Sequence, residues 1–379
     1  MDLVVPKKEL LKLVTRMQAV ADKKSTMPVL QNILLQADKT GALRLSATDM
    51  YLGLSGKITA EVKSPGTVGV AAKDLFERVK MMPEGPVQIT TGENEQTVLK
   101  AVGSSRRYVL RGVRGEDFPP LPAPQEGAPR FALNVAVLTE LIAKTQFSIS
   151  TDETRAHLNS ALFEWEGATL RMVTTDGHRL SKMDVKLEGK QASLSMLIPL
   201  KGLIELRKLS EELVSELKDK APEVQLIEGG SSAFFQFPNM LFSIKLVEAK
   251  FPPYMQVIPQ QSSKTVQAPR AQLADALRAV SIAANDRTGG VKLAVTKTAL
   301  KISSESPDSG EGFDEVPVDY DGADISVGFN AKYFLDVLGA LSDDEVTLNF
   351  NGDLDPAVIR PVTTDATKDY LAVVMPMKL

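Results

Sequence analysis

The chain has 379 residues, of which 44 are basic and 48 acidic, for a net charge of −4. At ~100–200 residues per domain that length predicts two to four domains, with ample core. It has no cysteine and only two histidines, His157 and His178, which excludes disulfides, thiolate metal sites, cysteine nucleophiles and histidine-rich metal centres.

The opening MDLVVPKKELLKL has no basic segment followed by an apolar run, so no signal peptide is expected. No stretch reaches ~18 apolar residues, so no spanning helix and no membrane partner are expected. The expected location is cytoplasmic, which the lack of cysteine fits.

Helical spacing of apolar residues covers 7–21, KKELLKLVTRMQAVA. Strand-like alternation follows in NILLQA and ALRLSATD, and a second helical pattern covers 71–82. PVQITT and RYVLRGV then lead into 115–130, which holds five prolines. The series begins again with a helix at 134–145, the alternations SALFEWEG and ATLRMVTTDGHRLS, a helix at 199–210, and EVQLIEG. A second proline-rich stretch spans 251–269, where no sheet or helix is expected because proline lacks the amide donor. The third series has helices at 270–282 and 330–341, with VKLAVT, ALKISSES, EVTLNF and the closing DYLAVVMPMKL.

The first helices of successive series start 127 and 136 residues apart. This predicts an α+β chain of three repeated domains, 1–122, 130–254 and 264–379. Each would carry two helices packed on mostly antiparallel sheets. The alternative is three unrelated α+β domains that share an order of elements.

The six helical patterns hold fourteen basic and seven acidic side chains, a positive surplus in a chain of net negative charge. Either these are solvated faces, or all six helices face one polyanion. Phosphate contacts of that kind bind without reading sequence. The candidates on the helices are Lys12, Arg16, Lys73, Arg78, Lys80, Lys201, Arg207 and Lys208.

Catalytic motifs are scarce. Ser55-Gly56-Lys57-Ile58 lacks the upstream glycine and the following Ser/Thr of a phosphate-binding loop. No G-x-S-x-G elbow occurs. Asp176-Gly177-His178 places an acid near a histidine, which leaves a hydrolase or transferase site open. A triad, however, needs three converging side chains. Asp343-Asp344 reads as a turn pair.

STMPVLQNILL (25–35), TTDGHRL (174–180), FPPY (251–254) and the closing VVMPMKL (373–379) resemble the bacterial sliding clamps, the β subunits of DNA polymerase III. The resemblance spans all three repeats. It implies the DNA clamp fold, closed by a head-to-tail homodimer into a ring around duplex DNA. It implies a non-enzymatic processivity factor without cofactor or metal. The implied partners are sequence-independent duplex DNA, a second copy, the polymerase III α subunit, the clamp loader, repair polymerases and ligase-type clients.

By the same resemblance, a partner-peptide groove would be walled by Leu158, Thr175, Gly177, His178, Arg179, Leu180, Pro252, Val257, Val358, Val373, Val374, Met375, Pro376 and Met377. Methionines around a proline suit an adaptable peptide site, whereas the alternative for 373–377 is a plain core strand. Lys23, Lys24 and Arg155 join the DNA-binding set. The subunit interface would use Arg106, Tyr108 and Leu110 on one side and Ile282, Ala283 and Asp286 on the other. Gln256, His157 and Lys378 depart from residues common in the family.

Overall fold

Each periodic segment folds as its spacing dictates. In the computed structural model, Lys7–Val20 (α1), Ala72–Met81 (α2), Val135–Thr145 (α3), Leu200–Glu216 (α4), Arg270–Ser281 (α5) and Ala331–Ala340 (α6) are the α-helices among the described residues. The structure describes residues 1–22, 25–189, 192–217, 221–285, 288–307, 310–363 and 365–379. In α1, Leu10, Leu13, Val14 and Met17 recur every three or four residues, and none is more than 2% exposed. The α+β expectation therefore holds, with antiparallel sheets throughout.

Three short strands were not legible in the sequence. Asp2–Pro6, Arg130–Asn134 and Lys264–Pro269 each run directly into the first helix of a repeat. The last lies inside the proline-rich stretch expected to be free of sheet. It is an edge strand paired only with Glu345–Phe350, and Pro269 is its final residue, preceding α5. A proline there costs little ladder and presets φ for the helix entry.

The chain divides into two compact units, Met1–Ala136 with Ile204–Leu246, and Val137–Leu203 with Val247–Leu379. In the first unit a five-stranded sheet runs from Glu61–Ser64 at one edge to Arg107–Leu110 at the other. A nine-stranded sheet joins the first repeat to strands of the second where Leu52–Thr59 pairs with Met240–Lys245. Helix α1 packs on α2 and on strands of both sheets.

In the second unit an eight-stranded sheet joins the second repeat to the third where Arg179–Lys186 pairs with Lys368–Val374. A four-stranded sheet runs in the order Gly310–Pro317, Ala299–Ser306, Gly290–Val295, Ile325–Asn330. Helices α5 and α6 pack on each other, and α5 touches strands of both sheets. The two large sheets thus each draw strands from two successive repeats.

Gly56 marks the closest approach of α1 to the nine-stranded sheet. A Cβ there would stand 2.6 Å from Leu13 Cδ1 and 3.1 Å from Met240 Cγ. Overpacking a tight core costs about 1–3 kcal/mol. Gly56→Ala should lower the melting temperature by roughly 2–10 °C, read by calorimetry. An unchanged melting temperature would show that α1 can shift to admit a methyl.

Candidate functional site

The strands Thr169–Thr175 and Arg179–Lys186 are joined by Asp176, Gly177 and His178. Thr175 Oγ1 donates to the Arg179 carbonyl at 2.7 Å and accepts from the Gly177 N–H at 3.1 Å. Asp176 Oδ1 accepts from the N–H groups of His178 at 2.9 Å and Arg179 at 3.0 Å. Gly177 has φ +94°, which only glycine adopts without strain. The other Asp176 oxygen takes Arg179 Nε at 3.0 Å. Asp176 is therefore occupied by the turn and does not orient the His178 imidazole, and the triad left open by the sequence does not form.

Arg179 is buried and held from three sides. Besides Asp176, it donates to Asp336 Oδ2 at 2.5 Å and to the Phe147 carbonyl at 2.5 Å, and it lies 4.6 Å from the Tyr333 ring centroid. Burial raises the Tyr333 phenol pKa, and the Asp176 charge adds to the rise. The guanidinium pins α6 to the turn. It lines the neighbouring cavity with three of its five N–H donors committed to Asp176, Asp336 and Phe147.

That cavity holds about 270 Å³ and is predominantly apolar. Nine of the fourteen expected groove residues line it: Leu158, Thr175, Gly177, Arg179, Leu180, Pro252, Val257, Val373 and Met375. Its floor is a buried cluster that includes Leu162, Val173, Phe251, Ile258 and Leu371. Five expected residues stand elsewhere. Val358 is packed within the floor. Val374 is wholly buried, because strand alternation turns it away from Val373. His178 is exposed and offers its backbone carbonyl to the Met375 N–H at 2.9 Å. Pro376 and Met377 lead away, and the Met377 N–H reaches the Gly328 carbonyl at 2.9 Å.

The structure adds His157, Pro253, Tyr254 and Gln256 to the lining. The FPPY string held the signal for Pro253 and Tyr254. Tyr254 stands edge-on to Phe251, with centroids 6.2 Å apart, and its hydroxyl accepts from Arg171 at 3.4 Å. Arg171 forms two 2.8 Å bonds to Asp184. Burial pushes the Asp184 carboxyl up, but hydrogen bonds from Arg171 and Lys182 outweigh it and leave the pKa below its ordinary value. Burial also raises the Tyr254 phenol, against the Arg171 charge.

The first repeat copies the turn. Thr48 Oγ1 donates to the Leu52 carbonyl at 2.6 Å and accepts from the Met50 N–H at 3.0 Å. Asp49 Oδ1 accepts from the N–H groups of Tyr51 and Leu52. Met50 has φ +74° where the second copy has glycine. The apolar wall differs. Gly53 occupies the position of Leu180, and Leu121 leans over it so closely that a Cβ would stand 2.8 Å from Leu121 Cδ2.

The candidate phosphate ligands fare unevenly. Lys23 and Lys24 lie outside the described residues, as does Asp286 of the expected interface. Arg16 is buried and held by Glu212 at 2.7 Å and Glu216 at 3.1 Å, so it has no free face for a phosphate. Lys12 pairs with Glu216 at 2.5 Å. Helix α4 runs through Glu211, Glu212 and Glu216, past the expected end at 210, and this reduces the positive surplus on the helices from seven to four. Arg78, Arg207 and Lys208 form pairs within their own helices, at 2.6–2.8 Å. Lys73 lies 4.0 Å from Glu77, and Lys80 sits over the Phe76 ring. Lys201 is exposed on α4. Arg155 is tied to Asp152 at 3.2 Å. Exposed pairs contribute about 0–1 kcal/mol, so a phosphate can displace them.

Of the expected interface residues, Tyr108 and Leu110 lie on a sheet edge, while Ile282 and Ala283 follow α5. Arg107–Leu110 is an edge strand, with Tyr108 half-buried and Leu110 turned into the core. Arg106 donates to the Met81 carbonyl at 2.5 Å. In the other unit, Ile282 is 82% exposed, while Ala283 is buried beneath the edge strand Gly310–Pro317. That strand carries Phe313, which is 64% exposed and which sequence reading missed.

Residues 1–122 match the N-terminal domain of the DNA polymerase III beta subunit, 132–253 its central domain and 255–378 its C-terminal domain. The chain is 32% identical to the beta sliding clamps of Pseudomonas aeruginosa and Escherichia coli K12, with each chain covered in full. The chain belongs to the DNA polymerase III β subunit family. A crystal structure of that subunit from Pseudomonas aeruginosa superposes with a TM-score of 0.92 at 31% identity, over the whole of both chains. The sliding clamp from Bacillus subtilis gives 0.92 at 25% identity, covering 99% of that chain. Three of the four strings that carried the resemblance, TTDGHRL, FPPY and VVMPMKL, meet around one cavity in this β-subunit chain.

The groove support has a pH signature. Because the folded-state pKa of Asp184 is depressed, its stabilising contribution is present above about pH 4 and is lost as pH falls through the folded value. Asp184→Asn should lower the melting temperature at pH 7, and the gap from wild type should narrow only as pH falls below about 4, toward the depressed folded value. A gap that stays constant would show that Asp184 contributes nothing through its charge.

Proposed function

We propose that the chain is a DNA sliding clamp and processivity factor, a non-catalytic subunit of the polymerase III holoenzyme. Two copies pair head-to-tail into a ring around duplex DNA, and each offers the groove at the TTDGHRL turn to short peptide motifs. The observation that carries this reading is the apolar cavity where Leu180, Tyr254, Val257, Val373 and Met375 converge, in a chain aligned end to end with β sliding clamps. Domains 1–122, 130–254 and 264–379 are its three repeats. Its location is the cytoplasm.

Retention on DNA comes from topology, which allows the local contact to be weak and salt-labile. Lys73, Lys80 and Lys201 are exposed cations suited to such contacts. No motif reads base edges. A tethered polymerase gains a high effective concentration at the primer end. The clients are the α subunit, the clamp loader, repair polymerases and ligase-type proteins, each docking leucine and phenylalanine anchors. A contact of this size gives micromolar affinity, about −8 kcal/mol. The chain itself uses no cofactor, and any ATP needed for opening belongs to the loader.

Ring closure uses the free edges. Arg107–Leu110 of one copy pairs with Gly310–Pro317 of the other, and Ile282 and Phe313 lose their exposure. A heterologous contact must close, and two copies suffice. Leu110 is a poor probe because it is buried within its own unit. Ile282→Asp acts on an exposed site. It should convert a species of about twice the 41.1 kDa chain mass into monomers by sedimentation, with melting unchanged. A wild type that sediments as a monomer at micromolar concentration would sink the ring.

Two DNA-binding variants should diverge. Neutralising Lys73 and Lys80 together should weaken binding to short duplexes equally across sequences and reduce its salt slope. Arg16→Gln should leave DNA affinity within twofold of wild type but cost about 2 kcal/mol of stability, because it strands Glu212 and Glu216. Loss of DNA affinity in Arg16→Gln at full stability would return Arg16 to the phosphate-binding set.

A further inference from the structure

The last five residues are anchored at two places. After Val374 the Met375 N–H bonds to the His178 carbonyl, and two residues later the Met377 N–H bonds to the Gly328 carbonyl, both at 2.9 Å. Pro376 between them has a fixed φ. Beyond it, Leu379 lies on the four-stranded sheet, where that sheet carries two glycines. A Cβ on Gly328 would stand 2.5 Å from the Met377 carbonyl oxygen and 2.7 Å from Leu379 Cγ. A Cβ on Gly290 would stand 2.5 Å from Leu379 Cδ2.

Gly290 pairs with Asn330 and Lys292 pairs with Gly328, so the two glycines are diagonal neighbours on one face. Neither has a positive φ, so no turn requires them. Glycine weakens a strand interior, and its presence there marks close backbone approach. What approaches is the chain's own end.

We propose that Gly290 and Gly328 form a seat for Met377–Leu379, and that the seat holds Met375 at the mouth of the groove. This rests on the peptide-groove reading above. The seat residues do not touch the peptide and are positioning residues. Met375 lines the cavity yet is 37% exposed, so packing alone does not hold it. A thioether on a loose chain end would have to be ordered by each incoming peptide, at a cost in affinity. With both hydrogen bonds in place, the backbone at Met375 is set beforehand and only the side chain adapts.

The test compares full-length wild type with Gly328→Val. Valine suits a strand, so the sheet tolerates it, but its Cβ collides with the Met377 carbonyl. The probe is a fluorescent synthetic peptide with leucine and phenylalanine anchors, titrated by anisotropy. The ε-methyl signals of Met375 and Met377 are read by NMR without peptide. The expected result is affinity weaker by about tenfold, both methyl signals shifted toward random-coil positions, and unchanged melting temperature and sedimentation mass. Gly290→Ala meets only the far ends of the Leu379 and Met377 side chains, not the backbone, and should lose less. Deletion of Lys378 and Leu379 leaves the sheet untouched and provides the same readout if Gly328→Val does not fold. Wild-type affinity in the variants, or methyl signals that do not move, overturns the seat. A wild type that fails to bind the peptide overturns the groove reading, and the seat's role with it.

Discussion

The antiparallel pairing of Arg179–Lys186 with Lys368–Val374 is the constraint on which the site depends. Its register sets Leu180 opposite Val373 and Arg179 opposite Val374. Directly opposed residues share a face, so Leu180 and Val373 stand together on the groove side while Val374 is buried behind. A slip of one residue would exchange these faces and dismantle the wall. The pairing also fuses strands of the second and third repeats into one sheet, bringing TTDGHRL beside the chain end.

The polar groups around this groove mostly build it. Asp176 shapes the turn, Arg179 ties that turn to α6, and Arg171 with Asp184 steadies Tyr254. The ligand-facing surface is left to leucine, valine, proline, tyrosine and methionine. Such a surface favours apolar anchors over any single polar contact. The first repeat bonds its turn in the same way, but Gly53 removes the leucine wall and Leu121 of the following proline-rich segment packs over that glycine and lines the cavity beside the turn.

Charge works on a different scale. The exposed intrahelical pairs are easily exchanged, because each contributes little. Arg16 is the opposite case. Its two carboxylate partners and its burial make it a brace between α1 and α4.

By itself the sequence determined the six helices, because a 3.6-residue period is local and survives any tertiary context. It also determined the Asp-Gly turn, whose φ only glycine meets without strain, and the strings that revealed the family. Tertiary structure alone decided the rest. Arg16 and Glu212 are 196 residues apart, so no window of sequence could pair them. The inward commitment of Arg179 depends on Asp336, 157 residues away. The strands ahead of each first helix were hidden because they are only five or six residues long, and two of them, Asp2–Pro6 and Lys264–Pro269, end in a proline. Phe313 stands on an edge strand only because sheet order leaves Gly310–Pro317 there, and Ile282 is exposed at the end of α5. The sequence left 373–377 open between an adaptable peptide site and a core strand, and two distant glycines provide the surface that the residues beyond Pro376 pack against.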